Sequence, residues 1–449
     1  MQKTRFMKLP TRTLLLLLFN FAAHLQGQNN PAGLKNIDYV YADHIRSVQF
    51  HIDGLVLSSP IIDLNSAAKL ELTFDDLDAD VKDYFYSIVH CDRNWQPSNL
   101  QEMEYLDGFA EERIQQYDFS FKTLWPYTHY TLKLPNRDMR WRLSGNYLLL
   151  VYDESNNREL VITRRFVVVD QQVGISPRFL RANNVSKLRT HQEIDFNVAH
   201  KQLRIQNPQQ EITATIMQNG RWDNAITGVV PKFIRPELMI FDYQDEVVFP
   251  GGKEFRYADL RSFRRVSFNV ASVRQEEQSY VVEMKADNRR DQLPYTTFED
   301  INGNFIVETN DQNRGRDRQE DYELDQLYAE YADVSFALSS PPLPGYDIYL
   351  FGAFTDWQPK AQYRLEYDPK LEAYTGWTIL KQGYYDYMYA ALPRQSNNRN
   401  KPQAGPLDVG LIEGHSDETI NEYTIIIYYR PYGSRYDQAV GAVTFTSTL

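Results

Sequence analysis

Three features of the sequence predict a mostly β protein, built of consecutive immunoglobulin-like β-sandwiches behind a secretory signal peptide. Aromatic residues make up 14% of the 449 residues, 31 of them Tyr, and such side chains favour strands. Runs of alternating apolar and polar residues recur at near-regular spacing, divided by turn residues, which is the pattern of a sandwich. Helical periodicity is nearly missing, and only Asp325 to Ala332 reads as a short helix.

The chain opens with Lys3, Arg5, Lys8 and Arg12, then an apolar stretch from Leu14 to Ala23. Basic residues ahead of a short apolar core make a signal peptide, expected at residues 1–27. The apolar run is about ten residues, half of the ~20 needed to cross a bilayer, and no later run is longer, so the exported product is expected to have no membrane span. Its loss would take away four positive charges and no acids, moving the net charge from −12 to about −16, which argues against nucleic acid as a partner. Cys91 is the only cysteine, so no internal disulfide can form and the cores alone must hold the fold. The remaining length suggests roughly three domains of ~150 residues.

The first is expected at 28–170. Val48, Phe50 and Ile52 alternate with Gln49, His51 and Asp53, and Leu70, Leu72 and Phe74 alternate with Glu71 and Thr73. After the acidic turn at residues 75–80 comes Tyr84 to His90, which reads as the second arm of a hairpin. A long polar excursion follows, beginning at Asp92, and an aromatic strand pattern resumes near Phe119. Excursions of this length are usually functional or disordered. Tyr127–Leu134, Tyr147–Tyr152 and Arg164–Val169 complete the unit.

A middle β domain is expected at 171–332, with strands at Ile194–Val198, Glu211–Met217, Glu237–Ile240, Phe263–Asn269, Tyr280–Met284 and Phe305–Glu308. Asn310–Leu324 is so polar that it reads as a solvated linker. A third sandwich is expected at 333–449, with Thr424–Tyr429 and Ala442–Phe445 closing its sheet and the polar stretch Arg394–Pro406 as a loop.

Chemical motifs are few. Asp76, Asp78 and Asp80 begin like a calcium loop, but the positions that need Gly and Glu hold Val81 and Ser87. The eight histidines show no metal-ligand spacing. His90 and Cys91 are strand neighbours on opposite faces and cannot share a proton. No catalytic residue, metal ligand or cofactor site is assigned, and no enzyme activity is expected.

Two resemblances extend this reading. Residues 350–357, LFGAFTDW, with LEYD at 365–368 and GYYDY at 383–387, resemble the glycogen-binding early-set modules. That likeness implies an early-set-like C-terminal sandwich and an alternative function, periplasmic carbohydrate binding with Trp357 or Trp377 as a stacking platform. The set YSIVHCDRNWQPS, FKTLWPYTHYTLKLP, GNYLLLVYD, TTFEDINGNF, FGAFTDWQ and RPYGSRYDQAVG, in that order behind a signal peptide, resembles the plug protein family of the type IX secretion system of Bacteroidetes. This second resemblance implies a non-enzymatic periplasmic subunit at the inner side of the outer membrane. Its partner would be the translocon barrel, whose periplasmic mouth it closes when no cargo passes, and no self-association is expected. The excursion and the 430–436 segment carry the aromatic and charged side chains suited to such an interface: Arg93, Trp95, Glu102, Glu104, Tyr105, Asp107, Arg430, Tyr432, Arg435 and Tyr436.

Overall fold

The computed structural model describes residues 33–311, 318–394 and 406–448. The signal-peptide reading and most of the Arg394–Pro406 loop therefore lie outside the described residues. Residues 33–35 carry no helix or strand, and residues 36 onward form one compact unit. The described residues are mostly β-strand, arranged as two sandwiches and a third unit built on one ten-stranded sheet.

In the first, strands Tyr39–Val40, Glu159–Val169, Gly145–Asp153, Tyr84–Cys91 and Glu111–Arg113 pair in that order, with Ile61–Asp63 parallel to Glu159–Val169. The facing sheet runs Ile45–Ile52, Leu70–Asp76, Thr128–Leu134 and Gln116–Phe119. Leu72, Phe74, Tyr84, Tyr86, Tyr130, Tyr147 and Phe166 fill the space between them. Leu70–Asp76 and Tyr84–Cys91 are thus not a hairpin. They lie in opposite sheets, and the acidic turn carries the chain across, so the Phe74 and Tyr84 rings meet across the core at 5.3 Å. A hairpin would have put both rings on one face of one sheet. Alternation reports only which side chains face inward.

The excursion supplies the last strand of both sheets, Glu111–Arg113 in one and Gln116–Phe119 in the other. It is a structured edge of the sandwich, with every residue of Gln116–Phe119 exposed.

The second sandwich pairs Gly174–Arg181, His191–Ala199, Leu238–Phe241 and Phe233–Arg235 in one sheet, against Ile226–Val229, Ile212–Gln218, Glu422–Tyr429 and Gln438–Thr446 in the other. The last two strands were expected to close the C-terminal sheet. They close this one instead, because Tyr423, Ile425 and Ile427 complete the core of Phe196, Ile212 and Ile216.

The third unit is a ten-stranded sheet, ordered from Arg256–Asp259 through Gly383–Pro393, Tyr346–Phe351, Arg364–Asp368, Ala373–Lys381, Tyr331–Ser339 and Tyr280–Met284 to Val270–Gln275. One core draws on strands from both ends, including Ala258, Val282, Ile348 and Tyr385, so the sheet wraps round it. Tyr280–Met284 and Phe305–Val307 therefore belong here and not with the middle block, and this unit interrupts the second sandwich in the chain. Phe263–Asn269 forms no strand, and Val266 and Phe268 point outward. The expected linker contains most of a helix, Arg318–Tyr328, whose C-terminal turn is buried at Asp325 and Gln326.

The outer face of the Ile45–Ile52 sheet is covered by the third unit. Gln49 donates to the Phe305 carbonyl at 3.0 Å. Asp75 receives Lys381 and the Tyr331 hydroxyl at 2.6 Å each, and His129 at 2.7 Å. Burial opposes ionisation of Asp75, but Lys381 and His129 outweigh it and hold the carboxyl below its usual range.

Candidate docking surface

The structure brings together the two segments that the sequence singled out separately. Glu102–Tyr105 forms a single helical turn whose entry is closed by a capping box, with the Gln101 amide N–H donating to Glu104 at 2.8 Å. The turn after Glu422–Tyr429 lies against it. Arg435 pairs with Glu104 and donates to the Asn99 carbonyl at 3.2 Å.

Asp437, which the sequence reading passed over, is the hub of this seam. Its carboxylate is 2% exposed and accepts from the Arg93 guanidinium at 2.9 Å and the Arg93 backbone N–H at 3.0 Å, with Arg430 at 3.5 Å. Tyr436 turns inward and meets His90 edge-on at 5.5 Å. Burial depresses His90 to about 4 and pushes the Cys91 thiol up to about 12, so neither is a working acid or nucleophile near neutral pH.

The ten expected docking residues divide accordingly. Trp95 and Tyr105 are buried. Trp95 meets Trp222 edge-on at 4.7 Å, and the Tyr105 hydroxyl reaches the Ile88 carbonyl at 3.4 Å. Arg93, Glu104, Arg430 and Arg435 are bound to the seam, and Asp107 pairs with Arg142 at 2.8 Å. Glu102 and Tyr432 remain outward, Tyr432 being 98% exposed. Beside Glu102, Met103 is 74% exposed, an apolar side chain held in water on a capped turn. No sequence signal separated it from a core methionine, because one turn of helix is too short for periodicity.

Trp357 is not an open platform. Arg221 lies 4.6 Å over its ring, and Phe351 and Phe255 meet it edge-on at 5.2 and 5.9 Å. Gly303, at φ +79°, packs so close that a Cβ there would run into the ring. Trp377 is 54% exposed. In the acidic turn, Lys82 lies 3.0 Å from Asp76 and pairs with Asp78, neutralising the cluster.

A family model described as the first domain of the type 9 secretion system plug protein matches residues 45–170, the span of the first sandwich. A crystal structure of a hypothetical protein from Parabacteroides merdae is 31% identical, with a TM-score of 0.84 over 92% of this chain and 100% of its own. The chain belongs to the type IX secretion plug family. No curated protein matches it. Membership gives the protein a role in type IX secretion and an association with that machinery. No helix among the described residues is long and apolar enough to cross a membrane. The family match falls on the sandwich that carries the Glu102–Tyr105 turn and both exposed edge strands.

Proposed function

We propose that this protein is a periplasmic plug that docks under the type IX translocon barrel, at the inner side of the outer membrane, and seals its mouth when no cargo is in transit. Family membership carries the reading. The fold is consistent with it: three β units braced by buried polar contacts give a stiff body, as a removable stopper requires. The docking surface is the seam built by residues 99–107 and 430–437, where Glu102, Met103 and Tyr432 point outward while their neighbours are fixed. Preorganised neighbours lower the ordering cost of binding. The work of the protein is binding without catalysis.

Affinity purification of the tagged protein from Bacteroidetes envelopes should recover the barrel. Tyr432→Ser combined with Met103→Ser should reduce recovery severalfold at unchanged thermal stability. Recovery of only unrelated proteins by the unmutated chain would overturn the sealing role, and full recovery by the folded double variant would move the interface elsewhere.

A further inference from the structure

The first sandwich ends on an open edge. Gln116–Phe119 is the last strand of its sheet, hydrogen-bonded along one side to Thr128–Leu134, and all four of its residues are exposed. The Ser120 amide donates to the Tyr127 carbonyl at 2.9 Å. Backbone groups alternate in direction along an antiparallel strand, so those of Gln116 and Asp118 also face Thr128–Leu134, while the N–H and C=O of Tyr117 and Phe119 point out of the sheet. Phe121, next in that series, donates its N–H to the Leu327 carbonyl near the end of helix Arg318–Tyr328, at 2.9 Å. Tyr117 and Phe119 have no such partner among the described residues. Four main-chain groups are thus left for one more strand.

Exposed edges are ordinarily guarded by Pro, by basic side chains or by bulges. Other edges of this protein follow that rule: Gly174–Arg181 carries Pro177, Arg178 and Arg181, and Val270–Gln275 carries Arg274 and a register shift. Gln116–Phe119 has none of these and runs in unbroken register. Its two faces differ. Tyr117 shares a face with the core residue Tyr130, their rings 5.8 Å apart, and Phe119 follows on that face, meeting Tyr117 edge-on at 6.0 Å. Phe119 is nevertheless 56% exposed, because the sheet stops there. On the opposite face Asp118, across from His129, has no basic partner among the described residues. A strand added here would continue the core beside Tyr117 and Phe119 and meet an acid on its other face. The net charge of −12 favours a basic side chain at that point. A second copy pairing edge to edge would instead put a second Asp118 on the same face, a like-charge neighbour.

We propose that the Gln116–Phe119 edge is a strand-addition site for an extended partner segment of alternating apolar and basic residues. The segment bonds to the outward N–H and C=O groups of Tyr117 and Phe119, lays its apolar side chains beside their rings and sets a basic side chain against Asp118. Main-chain bonds supply the affinity in this mode of recognition, and the alternate side chains supply the selectivity. The site does not rest on the sealing role.

The probe is a fluorescein-labelled octapeptide of alternating Val and Lys, titrated into the full-length protein and followed by anisotropy. Controls are a block peptide of the same composition, four Val then four Lys, and an alternating Val and Glu peptide. Saturable binding of the first peptide alone is expected, with the Tyr117 and Phe119 amides gaining protection in hydrogen exchange. Phe119→Pro removes one outward N–H and leaves the ladder to Thr128–Leu134 in place, so it should weaken binding about tenfold, and Phe119→Leu, which keeps the amide, should weaken it less. Asp118→Lys should turn the preference toward the Val and Glu peptide, and it serves if Phe119→Pro fails to fold. No saturable binding, equal binding of the block peptide, or unchanged affinity in the folded variants would overturn the proposal. So would concentration-dependent dimerisation of the protein that Phe119→Pro abolishes, which would assign the edge to a second copy. Since the peptide is read without the barrel, this proposal and the sealing role can fail separately.

Discussion

Asp75 and Glu104 are both carboxylates held by a basic side chain from a distant part of the chain, and they have opposite consequences. Asp75 and its partner Lys381 are each 0% exposed, while the Glu104 and Arg435 side chains are 33% and 52% exposed. Water screens the second pair and nothing replaces the partner of the first. The comparison shows that ion pairing between segments marks neither stability nor function by itself. Burial decides whether a pair is an obligate brace between sandwiches or a soft fastening on a surface free to bind something else.

The largest expected effect tests the buried side. Lys381→Met leaves Asp75 in the dry interface with His129 and Tyr331 but no permanent cation, and should cost about 3–5 kcal/mol in chemical denaturation. Adding Asp75→Asn to that variant should recover much of the loss, since the uncompensated charge disappears. If the single variant unfolds like the unmutated protein, the brace is unimportant.

A buried acid without a cation extends the comparison. Asp386 is fully buried, accepts from the Ile301 and Gly303 amides, and has one carboxyl oxygen without a partner. Burial, reinforced by Asp300, raises it to about 7. Its folded value lies above its unfolded one, so its contribution is fully present below about pH 4 and is lost as pH rises through about 7. Asp386→Asn should therefore stabilise the protein on the order of 2–4 kcal/mol at pH 8, have little effect at pH 4, and flatten the thermal-stability profile between them. An unchanged slope would show that Asp386 ionises freely.

The smallest effect belongs to the surface pair. Arg435→Ala should change stability by only ~0–1 kcal/mol. A loss above that range would place the seam among the structural braces and weaken its reading as a docking surface.

Much of the fold was legible because it depends on local periodicity. Leu70, Leu72 and Phe74, picked out by their alternation with Glu71 and Thr73, are core residues, and the strand expected at Thr424–Tyr429 forms, with Ile425 and Ile427 in a core. Pairing partners were not legible, since alternation names a face and not a neighbouring strand, which is why the hairpin and the C-terminal closure both failed. The excursion and the 430–436 segment were picked out by composition, and they do meet. Their division into buried, paired and outward side chains needed the contacts of Asp437 and Arg435, some 330 residues from their partners in the chain.

The sequence alone determined the β character of this protein, the inward face of most strands, the absence of an internal disulfide and, through its ordered motifs, the family. Tertiary structure alone decided the fate of the opposite faces. Gln49, Glu71 and Thr73 read as the polar side of a sheet and Asp75 as part of a turn, yet all are buried, with His129 beside them, because a second hydrophobic unit with its own polar partners covers this face. A residue's polarity records what it can bond with, and water or a buried partner such as Lys381 can each meet that need. Only the folded chain selects which of them is there.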